Sequence, residues 1–135
     1  MSLWSEHFTG VFRLSEKILI VDDSAEHRIL LSRFLKTLNY ESIEAENGAI
    51  ALERLRSEEL PRLILLDSQM DIMNGSEFLD VIASDSSGRF DAIPVIMLSG
   101  ERLTHRRAAR SVRKPVDLDK LTLAIHSQIE PAISI

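Results

Sequence analysis

Four short strand-like runs, the first three wholly apolar, constrain this chain more than any other feature. They read Ile18-Leu19-Ile20-Val21 into Asp22-Asp23, Leu63-Ile64-Leu65-Leu66 into Asp67, Val95-Ile96-Met97-Leu98 into Ser99, and Ser111-Val112-Arg113 into Lys114-Pro115. Runs of this length with no polar interruption are the pattern of strands buried on both faces of a parallel sheet. In such sheets ligands bind outside the carboxyl ends of the strands. The pattern therefore predicts that three carboxylates, a hydroxyl and an amine meet on one rim.

The segments between the runs carry helical periodicity. Leu30, Leu31, Phe34, Leu35 and Leu38 form one apolar face that ends at Asn39-Tyr40. Ser42-Ile43-Glu44-Ala45 alternates like a half-buried edge strand. Asn47-Gly48 turns into a helix with Ile50, Leu52 and Leu55, closing near Pro61, and Phe78, Leu79 and Ile82 belong to another. Asp117 is a candidate N-cap for a last helix that buries Leu118, Leu121, Ile125 and Ile129. Alternation of this kind predicts a doubly wound α/β domain with five parallel strands. The expected boundaries are an N-terminal extension or linker helix over 1–16, the domain over 17–130 and a tail over 131–135. Within the extension, Trp4, Phe8, Val11 and Phe12 fall at helical spacing, as a packed leader or a contact helix would have them.

Bulk properties exclude several classes. The 135 residues suffice for one domain with a real core. A net charge of -5 argues against wholesale nucleic-acid binding. No cysteine is present, which removes thiolate chemistry and suits a reducing cytoplasm. No apolar stretch approaches the roughly 20 residues that cross a bilayer, and no secretory leader is visible. The expected location is cytoplasmic.

The rim residues carry the chemistry. Asp22 and Asp23 are adjacent, so both reach one site only where the strand ends. Two carboxylates beside a third, Asp67, repel one another unless a cation intervenes. A set of hard oxygen donors is what Mg²⁺ prefers, although Asp22-Asp23-Ser24 also reads as simple helix capping. Asp67 follows four apolar residues directly, and an unpaired carboxylate there is costly. It is a candidate cap, metal ligand or nucleophile, since aspartates accept phosphoryl groups as acyl phosphates. Lys114 supplies a cation for phosphoryl oxygens and Ser99 a hydroxyl.

In order and register these motifs resemble a response-regulator receiver domain of two-component signalling, from about Lys17 to Ile129. The resemblance rests on Asp22-Asp23-Ser24, on Asp67 continuing as Ser68-Gln69-Met70-Asp71-Ile72-Met73-Asn74-Gly75, on Ser99 and on Lys114-Pro115. Asp23 and Asp67 lie 44 positions apart (67 less 23), a typical separation. The resemblance implies a flavodoxin-like sheet of order 2-1-3-4-5. Asp67 would accept a phosphoryl group from a sensor histidine kinase or phosphotransfer protein. Asp22, Asp23, Asp67 and the Gln69 backbone carbonyl would hold Mg²⁺. Lys114 would pair with the phosphoryl oxygens, Ser99 would hydrogen-bond them, and Lys114-Pro115 would be cis. The module would not be an enzyme beyond its own phosphorylation and dephosphorylation. A haloacid-dehalogenase-type phosphatase would need aspartate where Gln69 stands.

Several departures accompany the match. Asp71 stands at the usual proline position, loosening the loop and adding charge near the site. Ser111 replaces the usual aromatic residue, which removes ring-based coupling. Gln69 and Glu101 occupy positions that tune hydrolysis in the family. Ser99 and Lys114 are only 15 positions apart, too few for a full helix, a turn and a strand. That stretch holds Arg102, Arg106, Arg107, Arg110, Arg113 and Lys114. Such a basic face suits a homodimer contact or an acidic partner, and direct nucleic-acid binding finds no aromatic platform or helix-turn-helix to support it. A degenerate receiver acting as a phosphorylation-independent interaction module is the competing reading.

Overall fold

The computed structural model describes residues 16–57, 59–101 and 105–129. Five parallel strands form one sheet: β1 (Lys17–Val21), β2 (Glu41–Ala45), β3 (Leu63–Asp67), β4 (Val95–Ser99) and β5 (Arg110–Arg113), in spatial order β2-β1-β3-β4-β5. Four helices connect or close them: α1 (Ala25–Thr37), α2 (Gly48–Ser57), α3 (Gly75–Ala83) and α4 (Leu118–Gln128). This is the doubly wound order expected from the sequence. The leader over 1–15, Arg102 and the tail over 131–135 lie outside the described residues.

Strand alternation separates two cores. Leu19, Val21, Ile64, Leu66, Val95 and Met97 face α2 and α3, joined by Phe78, Leu79 and Ile82. Ile18, Ile20, Leu63, Leu65, Ile96 and Leu98 face α1 and α4, where Leu31, Leu35, Leu121 and Ile125 meet them. Every residue of β3 and β4 is buried, because helices cover both faces. β2 is only partly buried, as its alternating sequence predicts for an edge.

Local signals set the helix ends. Ser24 caps α1 through its hydroxyl, which accepts the His27 N–H at 3.2 Å. Asn74 and Glu77 form a reciprocal capping box at the start of α3. Asp117 caps α4, accepting from the N–H of Asp119 and Lys120. Two apolar assignments need correction. Leu30 is 53% exposed and Leu118 is 38% exposed. Both line the open cleft at the strand ends rather than the core, since each sits at the first turns of its helix where the helix overhangs the sheet. Conversely, Tyr40 is more than a helix terminator, being buried beneath α1.

Between β4 and β5 the described residues form turns and no helix. His105 and Arg107 take over part of the missing packing. His105 Nε2 lies 2.8 Å from Asp80 Oδ1 on α3, and its Nδ1 accepts the Arg107 N–H at 3.0 Å. The Arg107 guanidinium donates to the carbonyls of Phe90 (2.7 Å) and Ile93 (2.8 Å). Ala108 packs on the core beside α3.

Candidate functional site

The carboxyl ends of β1 and β3 bring three carboxylates together. Oxygens of Asp22, Asp23 and Asp67 all lie within 4.8 Å of one another. Asp22 and Asp67 are buried and Asp23 is exposed, so the adjacent pair does turn to opposite environments while β1 ends. The register explains the meeting, because Val21 of β1 pairs with Leu66 of β3 and each precedes its aspartate.

Each carboxylate is held differently. Asp22 Oδ1 accepts the Ser24 N–H at 2.9 Å, and Oδ2 is in close contact with His27 Nδ1. Arg28 donates to the Asp22 carbonyl at 2.7 Å and to Glu44 at 3.1 Å, tying α1 to β2. Asp67 Oδ1 accepts both the Lys114 ammonium at 2.8 Å and the Gln69 N–H at 3.2 Å. Among the described residues Oδ2 takes no such bond, which leaves it the open oxygen of the pair.

Burial pushes the Asp67 carboxyl above the usual carboxylate range, and the charge of Asp22 adds to that push. The bonds from Lys114 and Gln69 oppose it without cancelling it. A single ammonium thus leaves the cluster short of positive charge. Three hard carboxylate donors at this spacing fit a Mg²⁺-type ion, and a divalent cation would supply the missing charge.

The rest of the rim is assembled by backbone contacts. Lys114 N–H donates to the Ser99 carbonyl at 2.7 Å, fastening the end of β5 to β4. Ser68 N–H donates to the Leu98 carbonyl at 3.0 Å. Ser99 is buried, and its hydroxyl accepts the Glu101 N–H at 3.1 Å. The Lys114-Pro115 peptide is cis. Gly75 is required by close approach, because a Cβ there would stand 2.7 Å from the Asp67 carbonyl oxygen. In the loop after Asp67, Ile72 adopts φ +71° while 82% exposed, a costly conformation for a β-branched residue.

Two cavities border the cluster. One of about 710 Å³ runs from Asp22, Asp23, Asp67 and Lys114 past His27 to Leu30 and Leu118. The other, about 380 Å³, is lined by Asp23, Gln69, Asp71 and Asn74. The structure thus gathers Asp22, Asp23, Asp67 and Lys114, with Gln69 and Ser99 on adjoining backbone. His27 and Arg28 are rim-shaping residues that motif spacing did not single out, whereas Gly75 belongs to the motif that follows Asp67. The only sequence signal of His27 and Arg28 is position, five and six residues after Asp22.

Comparison with known proteins agrees with this geometry. A family model for the response regulator receiver domain matches residues 18–126. The chain belongs to the response regulator receiver family. It is 38% identical to chemotaxis protein CheY1 of Helicobacter pylori over 86 residues, covering 63% of this chain and 68% of that one. It is 34% identical to sporulation initiation phosphotransferase F of Bacillus subtilis over 122 residues, covering 83% and 92%. Among solved structures, the response regulator protein TrrA from Thermotoga maritima, in complex with Mg²⁺-BeF, superposes with a TM-score of 0.74 at 28% identity, covering 85% of this chain and all of the other. This receiver is accordingly a module of two-component signalling. No helix among its described residues is long and apolar enough to cross a membrane.

Proposed function

We propose that this receiver accepts a phosphoryl group on Asp67 from a phosphohistidine of a sensor histidine kinase or phosphotransfer protein. The observation that carries the reading is the meeting of Lys114 with Asp67 Oδ1 at 2.8 Å inside a three-carboxylate cluster. Asp67 Oδ2 is the nucleophile. It bonds to phosphorus while the P–N bond breaks and its electron pair returns to the imidazole. Lys114 stays beside the acceptor and pairs with a phosphoryl oxygen, and Ser99 offers its hydroxyl to another. Asp22, Asp23, Asp67 and the Gln69 carbonyl would hold Mg²⁺, which would supply positive charge to neutralise the phosphoryl oxygens. Asp71, in the cavity wall beside Asp23, adds a negative charge that tunes this site.

The module is a switch rather than an enzyme acting on other substrates. Its core runs over 17–130, with an extension over 1–16 and a tail over 131–135, and the cytoplasm is the compartment this reading implies. A basic face between Arg102 and Lys114 serves an acidic partner or a second copy. The described turns between β4 and β5, with Ser111 in place of an aromatic ring, favour a second reading in which phosphorylation no longer controls that face.

One experiment separates the two. The protein is incubated with Mg²⁺ and a small acyl-phosphate donor, and intact mass is followed. Switching requires a phosphoryl adduct that disappears in Asp67→Asn and on removal of the metal. No adduct on the unaltered protein leaves the interaction module as the function.

A further inference from the structure

Of the three clustered carboxylates, Asp22 is the one with both oxygens engaged among the described residues. Its Oδ1 accepts the Ser24 N–H at 2.9 Å, and its Oδ2 meets His27 Nδ1. An ionised carboxylate only accepts, so Nδ1 is the donor. Ser24 Oγ in turn accepts the His27 N–H at 3.2 Å. Contacts therefore run from Asp22 to Ser24, on to His27 and back to Asp22, closing a ring. Arg28, the next residue of α1, donates to the Asp22 carbonyl at 2.7 Å and fixes the backbone as well. The other two carboxylates are held less. Asp67 has its Oδ1 engaged by Lys114 and Gln69. Asp23 is exposed, and its side chain makes no hydrogen bond or ion pair among the described residues.

The fold of α1 does not call for this imidazole, because Ser24 already caps the helix. The ring stands instead in the wall of the cleft that Asp22, Asp23, Asp67 and Lys114 line. Three carboxylates this close repel one another, and one left untethered turns away from its neighbours. A cation would then have to order it again. A donor on Asp22 Oδ2 removes that cost in advance. Such outer partners of metal-binding carboxylates are worth roughly 10–100-fold in metal affinity.

We propose that His27 is a positioning residue for the divalent cation: its Nδ1–H holds the Asp22 carboxylate within reach of Asp23 and Asp67, so that the ion meets a preformed site. The inference rests on the reading of this cluster as a Mg²⁺ site and adds the residue that presets it. The hydrogen bond carries the effect, and no proton is gained or lost.

The test measures Mg²⁺ affinity of the whole, unphosphorylated chain by isothermal titration calorimetry. His27→Leu removes the donor, whereas His27→Asn keeps an N–H near the place of Nδ1. The leucine variant binds Mg²⁺ about tenfold more weakly, and the asparagine variant recovers most of that loss. Phosphoryl uptake by the leucine variant from an acyl-phosphate donor is slow at low Mg²⁺ and returns to the unaltered rate at saturating Mg²⁺. A merely structural role would give no such rescue. One measurement needs no variant: the ¹⁵N signal of His27 Nδ1 in the unaltered protein keeps its hydrogen-bonded signature as Mg²⁺ saturates. Release of the ring by the cation would overturn the proposal, as would equal or tighter Mg²⁺ binding in His27→Leu, or an equal loss in His27→Asn. If the unaltered protein binds Mg²⁺ yet takes up no phosphoryl group, the phosphoryl reading falls and the affinity ratio still decides the role of His27. No Mg²⁺ binding by the unaltered protein would overturn the role outright.

Discussion

The two ends of the functional rim are built to different standards. The β1–β3 end sits where strands are covered on both faces, and its carboxylates are fixed by backbone N–H groups, His27 and Lys114. The β4–β5 end has a buried Ser99 but continues into turns and a short edge strand with only Val112 buried. Dense packing holds reacting groups in one arrangement, whereas a thinly covered edge is free to change its contacts. The phosphoryl chemistry proposed for Asp67 would thus fall in the densely packed part of the sheet.

The largest effect that would break this contrast concerns Lys114. Removing one preorganised donor costs roughly 10²–10³ in rate. Lys114→Met should therefore slow phosphoryl uptake from an acyl-phosphate donor about 100-fold, measured by intact mass against time, with far-UV circular dichroism unchanged. A near-normal rate would mean that the amine is only a structural partner of Asp67.

Next comes Gly75. Its missing Cβ is replaced in space by the Asp67 carbonyl, so Gly75→Ala forces the rim apart. A loss of about 1–3 kcal/mol in urea unfolding is expected, as for other overpacked sites. Arg107→Ala tests the sparse end. It strips the Phe90 and Ile93 carbonyls of their charged donor and should cost about 1–3 kcal/mol. If Gly75→Ala is silent while Arg107→Ala is severe, the contrast between the two ends is reversed.

Two smaller effects sharpen it. Ile72→Gly relieves a left-handed backbone at an exposed β-branched residue and should stabilise the fold by up to about 1 kcal/mol. Asp67→Asn carries a pH signature. Because the folded pKa of Asp67 is raised, the native state binds the extra proton, and its stability falls as pH rises from the unfolded value through the folded one. The asparagine variant should therefore gain on the unaltered protein at neutral pH. That gain should fade once pH falls below both pKa values. A constant difference across pH would show that Asp67 titrates no differently in the folded state.

Much of this was legible in the chain itself. Uninterrupted apolar runs identified β1, β3 and β4, because strands buried on both faces tolerate no polar residue. The alternation of Ser42-Ile43-Glu44-Ala45 marked β2 as an edge for the same reason. Ser24 and Asp117 were readable as caps, since short polar side chains at helix starts satisfy otherwise unpaired N–H groups. Leu30 and Leu118 misled, because periodicity reports which face of a helix is apolar but not how far that helix extends past the sheet. Phe90 and Ile93 lie in a stretch without periodicity, yet both are buried under the β4 side.

The sequence by itself determined the strand order's ingredients, the acidic and basic groups available and their places at strand ends, because periodicity and chain order are local properties. Only the tertiary structure decided that Asp22 is gripped by His27, that Lys114 bonds one oxygen of Asp67 and leaves the other open among the described residues, and that β5 stands last in the sheet beside β4. Those outcomes depend on register between distant strands and on which surfaces remain after packing, and neither is written in any single stretch of the chain.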